Sequence, residues 1–460
     1  MLLMSALTMV GLATTASAPE PRSISTVPAA SAKSPSYALE TRFAPTGAFL
    51  VAAENVEGAL LIKSTLFNAG HVDTTGSLVL DTGAGYLALD GDLIVALGLA
   101  DSIVQAMTFA PRPLRRMQIG AYQQDAVGPV LSIETEVIEQ AIDRRVFGLL
   151  GQQPLGSFAV RIDYRKDTLA LVPMPRDGVA ATRPRRTAAL DMAASSAALI
   201  MARNSSRDAL RDALEANAVC LPFELAGDGK ILISARLGEP GIRRAEPAIT
   251  LVLDTGATKT VLFEKTVRRL RGDQKWKELR GLSAPTLYGS EVTYLCRVPA
   301  ISLGSGASAV VAREVDVAVM ASRLEGALSE AVQRPVDGLI GYSFLRRFRV
   351  TIDYPHRVLW LEPINVARDQ RTHEYSHVGL QIERRDGALR VVAVATNSPA
   401  DESGVLPGDE FVTLEGAAAG GFDVVELSRR LEGAPGSRVS FRLRRGLEER
   451  TYRLIRRQLL

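Results

Sequence analysis

The sequence predicts a mainly β chain, with two similar β units in tandem followed by a small α+β module. Three observations carry this. The run Leu78-Val79-Leu80-Asp81-Thr82-Gly83-Ala84 returns as Leu251-Val252-Leu253-Asp254-Thr255-Gly256-Ala257, with the two aspartates 173 residues apart. Each copy is an apolar, β-favouring run that ends abruptly in an acid, a hydroxyl and a glycine, as in a buried strand delivering a carboxylate to a tight turn. Further on, Val146 to Gly151 and Phe158 to Tyr164 return as Val336 to Gly341 and Phe348 to Tyr354. Gly148/Gly338, Gly151/Gly341, Phe158/Phe348, Asp163/Asp353 and Tyr164/Tyr354 all differ by 190, and one gap-free offset over that many matches marks an internal duplication. The last 84 residues, 377–460, have different phrasing.

At 460 residues the chain is expected to hold about two to four domains. Its 47% apolar content supports real cores, and a net charge of +3 gives no electrostatic footprint for nucleic acid. Residues 1–18 carry no charge, are mostly apolar, and end in the small-x-small string Ala16-Ser17-Ala18 before Pro19. This predicts a signal peptide, hence an exported, periplasmic or secreted, bacterial protein. It departs from the pattern in having no Lys or Arg at the start. No later apolar run reaches the roughly 18 residues of a membrane span, so no stable span is expected after cleavage. Cys220 and Cys296 suit either a disulfide in an oxidising compartment or two buried thiols.

Residues 19–46, rich in Ser, Ala, Pro and Thr, read as a disordered linker. The first unit spans 47–174. Its short apolar runs Phe49-Leu50-Val51, Ala59 to Ile62 and Leu78 to Leu80 alternate with turns, a helix follows near Asp92 to Leu97, and strands lie near Met117-Ile119 and Val127 to Leu131. Residues 175–218 form a linker in which Leu210 and Leu214 sit at helical spacing within Ser206 to Asn217. The second unit spans 219–364, with Gly229 to Ile233 echoing Gly58 to Ile62. Beyond a polar connector, 377–460 carries a strand over Leu389 to Val394, a helix near Val424 to Leu431 and a strand over Val439 to Leu443.

Two carboxylates held about 3 Å apart cannot both ionise and so share one proton, one acting as base and the other as acid. The proton then belongs to the pair. Thr82 and Thr255 are sized to hydrogen-bond across an axis between two such turns, and Gly83 and Gly256 let the backbone pass close. A lone Asp-Thr-Gly is more often just a strand-ending turn; duplication with matched flanks reverses that balance.

On these residues each unit resembles a retropepsin-like aspartic protease lobe, and the tandem resembles the bilobed pepsin-like arrangement. The resemblance covers roughly residues 48 to 173 and 219 to 364. It implies that Asp81 and Asp254 are the catalytic pair, supported by Thr82, Gly83, Thr255 and Gly256. It also implies that Leu149-Leu150-Gly151 and Leu339-Ile340-Gly341 pack beside the catalytic turns, and that a β-hairpin flap covers the cleft. Tyr288 and Gly289 are the flap candidates in the second unit. The first unit is shorter there, Asp81 to Gly120 being 39 residues against 50 from Asp254 to Gly304, and its Phe109 to Arg116 stretch makes a poor flap. Ala84 and Ala257 stand where pepsin-like members often carry a hydroxyl, so a less acidic optimum than pepsin's is expected. No cofactor or metal is required.

The last segment resembles a PDZ domain, on Val378 to Ile382, Asn397 to Ala400 and Gly404 to Asp409. That resemblance implies that Gly379, Leu380 and Gln381 offer backbone amides to a peptide C-terminus, or that the sheet edge takes an internal strand. His373-Glu374-Tyr375-Ser376-His377 matches the zinc-protease string H-E-x-x-H, but that chemistry needs both histidines on one helix face plus a third ligand, and this string sits in a connector running into a strand. The reading is an aspartic endopeptidase acting on polypeptides, with water activated between Asp81 and Asp254. The alternatives are a non-catalytic peptide-binding protein, a homodimeric retropepsin-type protease, and a zinc protease.

Overall fold

The computed structural model describes residues 47–68, 70–71, 73–174, 210, 212–238, 247–271, 276–286, 289–304, 309–364 and 373–460. The expected leader, the 19–46 linker, most of the 175–218 linker and Tyr288 lie outside the described residues; of the helix expected in that linker, Leu210, Asp212 and Ala213 are described and helical. The chain is mainly β, and among the described residues the strands fall into sheets of 13, 8, 6 and 2 strands.

The duplicated runs fold alike because their neighbours repeat. Strand Thr74–Leu80 is fully buried from Leu78 to Leu80 and pairs in parallel with Gly148–Leu150, Leu78 facing Gly148 and Leu80 facing Leu150. In the second unit Ile249–Leu253 pairs in parallel with Gly338–Ile340, Leu251 facing Gly338 and Leu253 facing Ile340. Each fully buried Leu or Val contributes roughly 1.5–3 kcal/mol, so the apolar run preceding each aspartate fixes where its strand ends. Glycine is required opposite these strands. A Cβ on Gly148 would lie 1.9 Å from Ala88 O, and one on Gly338 would lie 2.0 Å from Val261 O.

The closing segments join the units. Phe158–Asp163 and Phe348–Asp353 pair antiparallel, with Arg161 facing Thr351, Val160 facing Ile352 and Ile162 facing Val350. Arg161 and Thr351 are duplication equivalents, so the pseudo-two-fold axis passes through that pair. Arg161 is buried and paired with buried Glu362 at 2.6 Å, and its guanidinium also reaches Thr351 Oγ1 at 3.3 Å and Ala213 O at 3.0 Å.

The units differ most in one hairpin. In the second, Glu278–Thr286 and Gly289–Leu303 form a long hairpin with Thr286 facing Gly289. Leu114–Ile119 in the first unit pairs with Ala59–Phe67 as the end of Gly289–Leu303 pairs with Ile231–Leu237. The stretch before it, 98–113, contains no strand, only an isolated bridge from Phe109 to Leu131. The hairpin is therefore present once, and the poor first-unit flap corresponds to irregular chain. The expected helix near Asp92 runs over Gly91–Ala96, with the Asp90 side chain accepting from Asp92 N–H at its start. The single strand expected from Val127 to Leu131 is two, Tyr122–Gly128 and Val130–Ile133, because Gly128 adopts φ +109° between them.

The C-terminal module is a separate β layer with a helix over Val424–Leu431 and its own apolar core, including Leu380, Ile382, Leu427 and Phe441. Its strands Ala388–Val394 and Arg438–Arg445 cover those expected from sequence. No helix among the described residues is long and apolar enough to cross a membrane. No disulfide joins Cys220, exposed on Val219–Pro222, to Cys296, buried on Gly289–Leu303.

Candidate active site

Both aspartates leave their strands at the same height. Asp81 N–H donates to Leu150 O at 3.1 Å, and Asp254 N–H donates to Ile340 O at 2.9 Å. The turns then curl back on the carboxylates. Asp81 Oδ1 accepts from the Gly83 and Ala84 amides at 2.8 and 3.1 Å, and Asp254 Oδ1 accepts from those of Gly256 and Ala257 at 2.9 and 3.1 Å.

The threonines tie one turn to the other. Thr82 N–H donates to Thr255 Oγ1 and Thr255 N–H donates to Thr82 Oγ1, both at 3.1 Å. Each hydroxyl donates onward across the boundary, Thr82 to Leu253 O at 2.9 Å and Thr255 to Leu80 O at 2.8 Å. Four bonds, all buried, thus hold the two turns in fixed register. The carboxyls of Asp81 and Asp254 lie close enough that each shifts the other's ionisation. Asp254 Oδ2 is buried with no N–H or O–H donor from the fold, which suits it to share a proton with a neighbouring carboxyl.

Burial raises both acids. It pushes Asp81 up to about 6, against the lowering effects of Asp254's hydrogen bond, the Gly83 and Ala84 amides and the Lys230 charge. Asp254 is held well above the ordinary carboxylate range by burial and then by the Asp81 charge. The pair therefore retains one proton into the neutral range.

Sequence reasoning passed over three neighbours. Lys230, at the end of the turn before Ile231–Leu237, is buried and paired with Asp228, and it is the cation that acts on Asp81. Its duplication counterpart is Ala59, so this charge exists on one side only. Its burial could not be read from Gly229-Lys230-Ile231, because the turn is enclosed by the other unit: a Cβ on Gly85 would lie 1.8 Å from Asp228 O. Tyr164 and Tyr354 are also buried, with hydroxyls that have no hydrogen-bond partner. Burial is the main cause raising each, helped by the Asp254 charge for Tyr164 and the Asp81 charge for Tyr354. Both were visible as duplicated positions, but not as neighbours of the acids.

Gly256 sets how closely the turns approach. A Cβ there would lie 2.8 Å from Asp81 Cγ and 3.0 Å from Asp81 Oδ2. Gly256→Ala is expected to displace Asp81 and loosen the crossed turns, lowering stability by about 1–3 kcal/mol as overpacking does. Denaturant titration beside the wild type measures this.

Of the other site candidates, Gly289 opens the second hairpin strand. The C-terminal candidates are differently placed from the sequence expectation. Gly379 N–H is donated to His377 Nδ1 at 2.9 Å, and the Gln381 side chain pairs with the Ser283 backbone. The Gly379 amide thus has an internal partner and is not offered to a ligand here. Burial pushes His377 down to about 3, which leaves a neutral ring able to accept. The His-Glu-x-x-His string is turn and strand, not helix. Its Glu374 pairs with Lys259 at 2.8 Å and Arg346 at 3.1 Å.

A family model described as aspartyl protease matches residues 243–344. The chain is 30% identical over 71 residues to the carboxy-terminal processing protease CtpA of Bacillus subtilis (strain 168), covering 15% of each protein. It therefore spans under a sixth of that relative's length. Among solved structures, the aspartic proteinase from Irpex lacteus is similar over 70% of this chain and 99% of its own, at 12% identity and a TM-score of 0.38. The PDZ domain of a carboxy-terminal protease from Vibrio cholerae, in complex with a peptide, is similar over 18% of this chain and 94% of its own, at 17% identity and a TM-score of 0.17.

Proposed function

We propose that this chain is an aspartic endopeptidase whose site is built from both units of one molecule, with Asp81 and Asp254 as its catalytic groups. The observation that carries the reading is the contact of two buried carboxyls across the pseudo-two-fold, locked by the reciprocal Thr82 and Thr255 bonds. The family match over residues 243–344 supports a peptide hydrolase of the aspartyl protease class. Contact within a single chain favours this over a site shared between two chains. The C-terminal module is read as a PDZ domain, and the uncharged leader as an export signal.

Water held between the carboxyls gives up a proton to the ionised member as its oxygen attacks the peptide carbonyl carbon. The protonated member gives its proton to the carbonyl oxygen. Collapse of the tetrahedral gem-diol returns a proton to that pair and delivers one to the departing nitrogen. One carboxylic acid and one amine are formed, and the dyad again holds a single proton.

The pH dependence follows from the raised acids. Below the first macroscopic pKa both carboxyls are protonated and no base is present; above the second neither can donate. With Asp81 pushed up to about 6, activity is expected to rise with pH through that region and to peak near neutrality, falling only when the second proton leaves. Initial rates on a fluorogenic peptide from pH 3 to 9 test this, and a maximum at pH 3 contradicts it. Inhibition by pepstatin with resistance to EDTA is expected from the same chemistry.

A further inference from the structure

Among the described residues, the edge strand Leu380–Arg385 of the C-terminal module pairs with a strand on one side only. On a β layer of this kind the open side is where an extended peptide adds. In this molecule it faces the chain itself. The helix Glu136–Ile142 of the first unit packs against this strand and against the Val424–Leu431 helix, and the hairpin strand Glu278–Thr286 packs against both the Glu136–Ile142 helix and the module.

The two sides of this contact differ in chemistry. Toward the second unit it is dry and continuous. Tyr375, Ala395 and Leu460 join that unit's apolar cluster, and Lys259 is buried against Glu374 at 2.8 Å. Toward the first unit it is mainly ionic. Asp143 closes the Glu136–Ile142 helix and accepts from Arg384 Nε at 2.6 Å and from Val424 N–H at 3.0 Å. Arg144 meets Asp423 at 3.1 Å and Arg429 meets Glu57 at 3.0 Å, with Val425 as the apolar contact. A cavity of about 480 Å³ lies in this seam between Glu54, Arg144, Asp423 and Arg430, so water and salt reach it. Between the two sides, Gln381 grips the hairpin strand like a neighbouring strand. Its carbonyl accepts from Ser283 N–H at 3.0 Å and its amide donates to Ser283 O at 2.7 Å, while Thr396 N–H donates to Arg280 O at 2.9 Å.

We propose that the module is a strap: fixed to the second unit, latched ionically to the first through Asp143, and holding the Glu278–Thr286 strand while its peptide-adding edge is occupied by the chain's own Glu136–Ile142 helix. Release of the ionic seam frees the edge for an extended peptide and loosens the hairpin together. The contact stands on geometry; that the edge takes a peptide rests on the PDZ reading, and the consequence for catalysis on the paired-aspartate reading. Salt shortens the screening length from about 10 Å at 0.1 M to about 3 Å at 1 M and acts most on solvent-facing pairs, so it loosens the latch through the partly exposed Arg144–Asp423 and Arg429–Glu57 pairs more than through the largely buried Asp143–Arg384 pair.

Amide hydrogen exchange on the full chain tests this, comparing wild type in 0.1 M and 1 M NaCl with Asp143→Asn and Arg429→Ala in 0.1 M NaCl. Asn tolerates the left-handed conformation of residue 143 (φ +53°), and Arg429 is exposed, so neither variant attacks a core. Exchange across 380–385 and 278–286 is expected to quicken together, by about tenfold or more, in high salt and in both variants, with 78–80 and 251–253 unchanged. Unchanged exchange in both segments under all three conditions overturns the strap, as does quickening in one segment without the other. Peptide hydrolysis measured on the same samples separates the two readings. Coupled exchange without hydrolysis keeps the strap and removes the peptidase; hydrolysis without coupled exchange does the reverse.

Discussion

Replacing Asp254 or Asp81 by Asn is expected to lower peptide hydrolysis by at least about 10³-fold, within the range for losing a positioned acid–base group, while the melting temperature stays level or rises. The two halves have one physical cause. An acid whose pKa is raised in the folded state binds its proton more tightly there than in the unfolded chain. Its contribution to stability is therefore greatest at low pH and is lost as pH climbs from its ordinary value through the raised one. For Asp81 that window runs from 3.8 to about 6. At neutral pH the dyad thus costs stability, and Asn removes the cost while its oxygen can still accept from the Gly83 or Gly256 amide. Activity assays and thermal melts at pH 7 on the same preparations decide it. Loss of activity together with a large fall in melting temperature would show that the substitution unfolds the site instead.

The second large effect concerns the sheet joining the units. Arg161→Ala is expected to destabilise the chain by about 3–5 kcal/mol, because buried Glu362 loses its nearest cation and keeps only the longer contact with Arg349. Replacing both partners, Arg161→Met with Glu362→Leu, is expected to recover most of that loss, since an apolar pair of similar volume needs no compensating charge. Denaturant titrations of the two variants measure the difference. Arg349 lies 3.5 Å from Glu362 and 3.2 Å from Asp163, so part of the single-variant loss is absorbed if it moves inward, and the measured value then falls toward the lower end.

The parts of the site legible in the sequence were those written twice. Apolar runs ending in Asp-Thr-Gly-Ala set the strand ends, and the 190-residue offset marked equivalent neighbours. Two things were not legible, for different reasons. Lys230 looks like any turn lysine, and only the other unit's Gly85 surroundings bury it. The partners of Gly379 and Gln381 lie at His377 and at Ser283, the second nearly a hundred residues away, and no local pattern reports that this edge faces inward. The His-Glu-x-x-His string shows the converse, a local match whose residues serve to fasten a connector.

The symmetry of the joining sheet bears on which units can pair. Its axis runs through Arg161 and Thr351, so each would face its own copy if either unit paired with a second molecule of itself. Two first units would press guanidinium against guanidinium, each deprived of the Glu362 that neutralises it. Two second units would enclose a pair of Glu362 carboxylates with only each unit's own Arg349, at 3.5 Å, beside them. The Arg161–Glu362 pair therefore favours the join between unlike units over either self-pairing. Each half is the complement of the other, and cutting the chain in two should give fragments that reassociate preferentially with their opposite.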